Sequence, residues 1–217
     1  MLPVQFSKLN RPLRVLCLGA HSDDIEIGCG GTILRMMTEV PNVEVRWVVL
    51  SARGARKQEA VASAKRFLRA AGRKRIVVKQ FKESFFPYVG DKIKAFFEQL
   101  KVEFDPDLIL THYRHDLHQD HRVVSDFTWN TFRDHLIWEY EIPKYDGDMG
   151  VPNVFSPLSR GVCAEKIGLL MEGFGSQRSR RWFTDDTFWA ILRLRGVEAG
   201  SVSRFAEAFY VRKLILS

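Results

Sequence analysis

The 217-residue sequence lacks the apolar segments that membrane insertion and secretion require. No uncharged apolar run approaches the ~20 residues that cross a bilayer, and the N-terminus has no apolar core ending at a small-residue cleavage site. Cysteine is also scarce, and Cys17, Cys29 and Cys163 lie far apart with no paired spacing. These absences predict a cytoplasmic protein with reduced thiols and no membrane span.

Internal repeats, low-complexity segments and a boundary that would mark a second domain are absent as well. The length suits one domain with a substantial core, so residues 1–217 are predicted to form a single domain. The formal net charge of +7 is compatible with nucleic acid, anionic lipid or an anionic small substrate. No helix-turn-helix or zinc-finger spacing is present, and the aromatic residues are not interleaved with basic ones, so a nucleic-acid-binding domain is the weaker alternative.

Short apolar segments alternate with segments of helical periodicity through the first half of the chain. Strands are predicted over residues 15–18, 43–50, 76–78 and 108–110, and helices over residues 56–71 and 91–100. Such alternation is typical of a parallel sheet with helices on both faces. The predicted fold class is therefore α/β, a single-domain Rossmann-like fold with a mostly parallel sheet flanked by helices.

The alternation weakens in the second half of the chain. The predictions there are helices over residues 123–140, 164–173 and 184–194 and a closing strand over residues 206–216. Residues 141–160 contain several prolines and glycines, which predicts a long loop or cap. The predicted fold therefore includes a C-terminal cap region, and residues 1–12 are predicted to be an irregular lead-in.

Polar side chains follow the first predicted strand. His21, Asp23 and Asp24 come directly after it, and three glycines and a helical segment follow them. Open α/β sheets bind their ligands beyond the carboxyl ends of strands. Two carboxylates and an imidazole can bind a metal or move protons, and they occupy the turn where the phosphate of a dinucleotide would lie. The pattern therefore predicts a catalytic or metal site and not a dinucleotide site.

A second polar cluster follows the fourth predicted strand. Four of the six histidines lie within residues 111–121, together with Asp116 and Asp120. Both clusters follow strands of one predicted parallel sheet, so we expect them to converge at the same edge. A catalytic zinc commonly takes three protein ligands and leaves one position open. Aspartates in either cluster could instead cap the next helix, but the joint placement of the two clusters favours a metal site.

At these residues the sequence resembles the PIG-L/LmbE-like family of zinc-dependent deacetylases. The family motif Ala-His-Pro-Asp-Asp is matched at residues 20–24, a glycine pair at residues 30–31, and His-x-Asp-His at residues 118–121. Ser22 replaces the family's proline, and Ile25 stands where many members have an acidic residue. Neither departure touches a presumed metal ligand.

Weaker features extend the resemblance over most of the chain. Arg56 followed by Glu59 is similar to an Arg-x-x-Glu pattern of the family, and Ser176-Gln177 and residues 206–209 also look like family features. Residues 51–54 depart more, because this loop often holds Gly-Glu in the family.

The resemblance implies a role for five residues. His21, Asp24 and His121 would hold zinc, Asp23 would be the general base, and His118 would polarise the substrate carbonyl or protonate the leaving amine. The family removes acetyl groups from N-acetylglucosamine units on various carriers. The expected substrate is therefore a small amino sugar conjugate, and the basic composition raises the question of an anionic carrier.

Further candidates surround these residues. Asp116 and Asp120 could orient an imidazole from outside the zinc ligands. Arg56 could bind a sugar hydroxyl or a phosphate, although an arginine at a helix start is often simply solvated, and Tyr113 could form a wall of the pocket. A zinc amidase acting on another small amide is the alternative enzyme, and homo-oligomerisation is left open.

Overall fold

The computed structural model describes residues 11–215, and within them seven strands form one sheet flanked by six α-helices. The strands are β1 (Leu13–Gly19), β2 (Val43–Val49), β3 (Arg73–Val78), β4 (Leu108–His112), β5 (Leu136–Tyr140), β6 (Val154–Pro157) and β7 (Ala206–Val211). The helices are α1 (Asp24–Glu39), α2 (Gly54–Phe67), α3 (Gly90–Glu103), α4 (Gln119–Thr131), α5 (Arg160–Gly173) and α6 (Asp185–Glu198). Most of the predicted lead-in, residues 1–12, lies outside the described residues.

The sheet is mixed, with the strand order β3-β2-β1-β4-β5-β7-β6. The first five strands are parallel, whereas β7 runs antiparallel to both of its neighbours, β5 and β6. The predicted α/β class and mostly parallel sheet are thus confirmed. Because β2 and β4 lie on opposite sides of β1, the strand order changes direction between β1 and β4. Open α/β sheets place their ligands at such a switch point.

Strand β1 is buried on both faces, which explains why residues 15–18 within it are continuously apolar and do not alternate. Val15 and Cys17 belong to the core cluster that α1, α2, α5 and α6 cover, whereas Leu16 and Leu18 belong to the cluster beneath α3 and α4. Full burial of an aliphatic side chain contributes about 1.5–3 kcal/mol relative to exposure. The first polar cluster therefore follows directly after a firmly packed strand.

Helix α1 is joined to β7 through Glu207, a buried carboxylate that also forms an ion pair with Lys166 of α5. Glu207 in β7 accepts hydrogen bonds from the backbone amides of Gly31 (2.8 Å) and Thr32 (2.6 Å), inside the helix. Lys166 in α5 donates to Glu207 at 2.6 Å and also to a carbonyl oxygen of α1. A Cβ on Gly31 would lie 3.0 Å from Glu207 Oε1, so the close approach requires glycine. Because α1 begins at Asp24, this attachment helps to position the first polar cluster.

The helix predicted over residues 123–140 is wrong in its second half. Helix α4 ends at Thr131, and the last five residues of the predicted helix form β5, which pairs in parallel with β4. Glu139 is fully buried in this strand and accepts hydrogen bonds from the Arg114 amide (2.9 Å) and from the Trp129 indole. The pairing of this segment with β4, a strand remote in sequence, outweighs its local helical pattern. Local periodicity carries no information about such pairing.

The segment of residues 141–160 is not a loop throughout. It contains β6, which pairs with β7 at the edge of the sheet, while residues 141–153 have no regular structure. The closing strand is shorter than predicted and ends at Val211. Within residues 11–215, no helix combines the length and the apolarity that crossing a membrane would need.

Candidate active site

The two polar clusters meet beyond the carboxyl ends of β1 and β4. Strand β1 ends at Gly19 and leads into His21 and Asp24, while β4 ends at His112 and leads into His121. The two strands are parallel neighbours, so both loops leave the same edge of the sheet. This edge is the switch point of the strand order, where a ligand site is expected.

Three side chains at this edge present ligand atoms at spacings that suit one metal ion. Nδ1 of His21 lies 3.2 Å from Nε2 of His121 and 3.4 Å from Oδ2 of Asp24. Oδ1 of Asp24 lies 3.6 Å from Nε2 of His121. Ligands about 2.0–2.1 Å from a tetrahedral zinc are about 3.3 Å from one another. The two distances to Asp24 involve its two different oxygens, one near each imidazole, and all three side chains are buried.

The outer nitrogens of both imidazoles face carboxylates. Nε2 of His21 lies 3.1 Å from Asp120, and Nδ1 of His121 lies 2.9 Å from Asp116. Because a carboxylate accepts hydrogen bonds, each neutral ring carries its proton on the outer nitrogen and a lone pair on the inner one. Two lone pairs then face each other across 3.2 Å, an arrangement that calls for a cation or a proton between them.

The electrostatics of the metal-free site agree with this geometry. Burial lowers the pKa of His21, but the carboxylates of Asp24 and Asp120 together raise it to about 10. Burial, and then the neighbouring His112, lower the pKa of His121 to about 3. One proton is therefore held on His21 beside a neutral His121. A metal ion binding here would displace that proton.

The two carboxylates behind the imidazoles are themselves held in place. Asp120 accepts from two backbone amides of the loop after β3, at 2.6 and 3.1 Å. Asp116 accepts from the backbone amide of His118 at 2.8 Å and from Lys144 at 3.0 Å. The structure thus places both candidate orienting residues against the imidazoles that they would orient.

Helix capping does not account for these aspartates. Asp23 occupies the N-cap position of α1, but its side chain makes no capping hydrogen bond. The N-cap of α4 is His118, whose Nδ1 accepts from the Asp120 amide at 3.2 Å. Asp24 accepts from the backbone amide of His21 at 2.7 Å, which holds one of its oxygens towards the cluster.

A ligand atom of His118 lies within 4.8 Å of those of His21 and His121, a spacing at which the three histidines could hold a metal ion. Since Nδ1 accepts from the Asp120 amide, the neutral ring carries its proton on Nε2. Burial, and then the positive charge of His21, lower the pKa of His118 and keep the ring neutral at neutral pH. An Nε2–H group donates a hydrogen bond and has no lone pair for a metal.

Asp23 is a buried carboxylate beside the three candidate ligands. The Ser22 hydroxyl donates to it at 3.4 Å, a long hydrogen bond. Burial, and then the charge of Asp24, raise the pKa of Asp23 to about 6, while Arg56 acts in the opposite direction. A base with a pKa near the working pH is suited to accept a proton.

His112 is a site residue to which the sequence assigned no role at the metal. It is fully buried at the end of β4 and stacks on His121 with ring centroids 3.9 Å apart. Its Nε2 lies 3.0 Å from the amide of Ala20 and 3.1 Å from Oδ2 of Asp24. Accepting from the amide uses the lone pair that a metal would need. The signal for this residue was its place at the end of a strand within the histidine cluster.

Arg56 borders a cavity next to the cluster. Its Nε donates to the Ser22 hydroxyl at 3.3 Å, and its Nη1 lies 2.5 Å from Glu83. The cavity has a volume of about 150 Å³, and Arg53 and Lys82 also line it. Three cations and one acid therefore surround a space that adjoins the loop after β1.

Tyr113 is not brought into the metal cluster by its described contacts. Its ring stacks on that of Tyr210 with centroids 3.7 Å apart. A Cβ on Gly150 would lie 3.0 Å from the Tyr113 hydroxyl, so the loop after β5 packs closely against this pair.

A family model described as PIG-L, GlcNAc-PI de-N-acetylase, matches residues 16–132, which is more than half of the chain and includes both polar clusters. No curated protein sequence matches the chain.

Solved structures share the fold at low sequence identity. N,N'-diacetylchitobiose deacetylase from Pyrococcus horikoshii, complexed with its inhibitor MPG, is 20% identical, with a TM-score of 0.70 over 92% of this chain and 83% of its own. GalB, the 4-carboxy-2-hydroxymuconate hydratase from Pseudomonas putida KT2440, is 16% identical, with a TM-score of 0.75 over 94% of this chain and 98% of its own. The zinc-inhibited form of teicoplanin deacetylase Orf2 is 15% identical, with a TM-score of 0.69 over 91% of this chain and 97% of its own. The likeness shows the fold, which deacetylases and a hydratase share.

Proposed function

The chain belongs to the PIG-L family, described as GlcNAc-PI de-N-acetylases, and from this premise we propose that it is a metal-dependent N-deacetylase acting on an amino sugar conjugate. The observation that carries the proposal is the pair of inward-facing imidazole nitrogens on His21 and His121, accompanied by Asp24. This arrangement attracts a cation. Amide hydrolysis is a reaction in which a cation helps, because an amide is a poor electrophile and water is a poor nucleophile at neutral pH.

His21, Asp24 and His121 would hold the metal, and two imidazoles with one carboxylate suit zinc. When bound, the ion would polarise the acyl oxygen and lower the pKa of a water molecule towards about 7. Asp120 and Asp116 keep the two rings oriented for this purpose, which commonly affects metal affinity as much as activity.

Asp23 moves the proton in this proposal. As water adds to the acyl carbon, the Asp23 carboxylate accepts one of its protons. The carbon–nitrogen bond then breaks, and the same proton passes to the nitrogen that leaves. Acetate and a free amine are the products, and Asp23 is returned to its starting state.

His118 stabilises the negative charge that develops on the acyl oxygen. Its neutral Nε2–H group donates a hydrogen bond without a change of protonation state. Of the two roles that the family resemblance implied for His118, polarising the carbonyl fits this tautomer. Protonation of the leaving amine falls to Asp23.

The carrier of the amino sugar is proposed to lie at the cavity beside Arg56. An arginine guanidinium can bind a phosphate or carboxylate through two parallel hydrogen bonds. Arg53 and Lys82 add positive charge at the same cavity. Glu83 offsets part of this charge through its ion pair with Arg56. Tyr113 is left out of the proposal because its ring is stacked on another tyrosine.

A product assay on the purified chain tests the proposed function. N-acetylglucosamine conjugates and non-sugar N-acetyl amides are incubated with the protein, and acetate and primary amine are quantified. We expect equimolar release from the sugar conjugates, loss of release with chelator, and recovery when zinc is returned. Zinc is titrated from zero upwards, since a zinc-inhibited form of teicoplanin deacetylase is known.

Two variants make the assay specific for the proposed site. His121→Ala should abolish release and zinc recovery, whereas His115→Ala, an exposed histidine of the same loop, should leave both intact. Release from non-sugar amides alone would favour the amidase alternative. Addition of water to a carbon–carbon double bond, without acetate release, would replace the deacetylase by a hydratase.

A further inference from the structure

The loop after β5 makes a buried ionic contact with the site. Lys144 Nζ lies 3.0 Å from Oδ2 of Asp116 and also pairs with Asp148, four residues along the same loop. The three side chains are 8%, 2% and 6% exposed, in that order. Asp148 in turn accepts from the backbone amide of Leu117 at 2.7 Å. The loop is therefore attached at two adjacent points to the segment that carries His121.

Both oxygens of Asp116 are engaged in this arrangement. Oδ2 receives Lys144 and the Nδ1–H of His121, at 3.0 and 2.9 Å, and Oδ1 receives the backbone amide of His118 at 2.8 Å. Rotation of the carboxylate would break at least one of these contacts. As long as they hold, the proton of His121 stays on Nδ1 and the lone pair on Nε2 points to the metal position.

We infer that Lys144 is a positioning residue of the metal site, which holds Asp116 in place and through it keeps Nε2 of His121 directed at the metal. The inference rests on the proposed function. Without the ammonium group, Asp116 would be a buried carboxylate lacking its cationic partner, an unfavourable state that favours movement of the carboxylate. The charge of Lys144 alone acts in the opposite direction because it repels a cation. The effect of the position of Asp116 on metal binding must therefore be measured without a change in the local net charge.

The double variant Lys144→Met/Asp148→Asn meets this requirement. It removes one cation and one anion, so the local net charge is unchanged, while the ionic contact with Asp116 is lost. We expect the zinc dissociation constant, measured by competition with a chromogenic chelator, to rise about 10–100-fold, the usual effect of losing support behind a ligand. Lys144→Arg should retain most of the affinity because it can still donate to Asp116.

A matched control uses another ion pair with the same four-residue spacing. Lys94 and Glu98 are paired in α3, and Lys94→Met/Glu98→Gln should leave zinc affinity unchanged. Unchanged affinity in a folded Lys144→Met/Asp148→Asn protein would overturn the inference and leave the proposed function standing. A wild-type chain that binds no zinc would overturn both.

A second readout covers the case in which the double variant does not fold. Long-range proton–nitrogen NMR of the metal-free protein reports which nitrogen of His121 carries the proton. The wild type should show the Nδ1–H form, and Lys144→Met alone should show a mixture of both forms. If charge alone mattered, the more negative Asp116 would strengthen the Nδ1–H form instead, and that result would also overturn the inference.

Discussion

Two adjacent carboxylates at the start of α1 are given different properties by what surrounds them. Burial raises the pKa of Asp24, but the imidazoles of His121, His112 and His21 together hold it well below its usual range. Burial dominates at Asp23, and the pKa of that carboxyl is raised to about 6. A carboxylate that stays ionised suits a metal ligand, and one that titrates near neutral pH suits a base.

Asp23→Asn separates the two roles experimentally. The amide keeps the shape of the side chain but cannot accept a proton, so activity should fall by about 10²–10⁴-fold, the usual contribution of a general base. Zinc content, measured by metal analysis of the purified protein, should stay at the wild-type level. Loss of zinc would instead make Asp23 a ligand, and unchanged turnover would remove it from the mechanism.

Glu26 lies in the same first turn of α1 as Asp24 and is fully buried. Neither of its carboxyl oxygens makes a hydrogen bond within the described part of the chain, and the buried Ser63 hydroxyl also lacks a partner there. Burial raises the pKa of Glu26 well above its ordinary value of 4.5. The folded chain therefore keeps a proton that the unfolded chain releases. This proton stabilises the fold at low pH, and its contribution is lost as the pH rises through the folded-state pKa.

Glu26→Gln cannot ionise and should remove this pH dependence. Above the ordinary pKa of 4.5 and below the raised one, the wild type should lose about 1.4 kcal/mol of unfolding free energy per pH unit relative to the variant. Denaturant unfolding of both proteins, metal-free and at several pH values from about 5 upwards, measures the difference. Parallel curves would show that Glu26 is not held protonated by the fold.

At the scale of elements, the attachment of α1 to β7 depends on one carboxylate. Glu207 receives two amides of α1 and the ammonium group of Lys166, and both members of the ion pair are nearly inaccessible, with side chains 3% and 2% exposed. Removing one partner of a buried pair leaves an uncompensated charge. That loss is far larger than the loss of an exposed pair.

Glu207→Ala should therefore lower the unfolding free energy by about 3–5 kcal/mol. The matched control is Glu39→Ala, which breaks an exposed pair with Arg35 at the end of the same helix and should change stability by less than about 1 kcal/mol. Both values follow from denaturant titrations of the purified proteins. A small effect at Glu207 would mean that α1 is held by its apolar face alone.

At the scale of the whole molecule, the surplus of positive charge bears on the substrate. The net charge is +7, and three cations surround the cavity beside the loop after β1. Attraction between exposed charges is screened over about 8 Å at physiological salt. If the carrier is anionic and lies at this cavity, its KM should rise with ionic strength, whereas the KM of a neutral analogue should not.

Arg56→Ala localises the effect. It should raise KM for an anionic conjugate selectively and leave the zinc content unchanged. The matched control is Arg66→Ala at the far end of α2, where the arginine is likewise paired with a glutamate. Equal changes for charged and neutral conjugates would contradict the anionic carrier without affecting the deacetylase proposal.

The sequence by itself determined the α/β class and the convergence of the two polar clusters. Short apolar runs followed by helical periodicity are local patterns, and parallel strands place their carboxyl ends at one edge. These two facts suffice to bring His21, Asp24 and His121 together, although their role as metal ligands stays a prediction. They suffice because each cluster directly follows a strand.

Only the tertiary structure decided what depends on partners remote in sequence. Strand β5 is a strand because β4 lies beside it, and Lys144 reaches Asp116 because the loop after β5 folds back over the site. The tautomer of His118 follows from one backbone amide, and the protonation of Glu26 follows from its burial. A residue's neighbours in space set its hydrogen bonds and its pKa. Local sequence patterns carry no information about neighbours that are remote in sequence and become neighbours only in the folded chain.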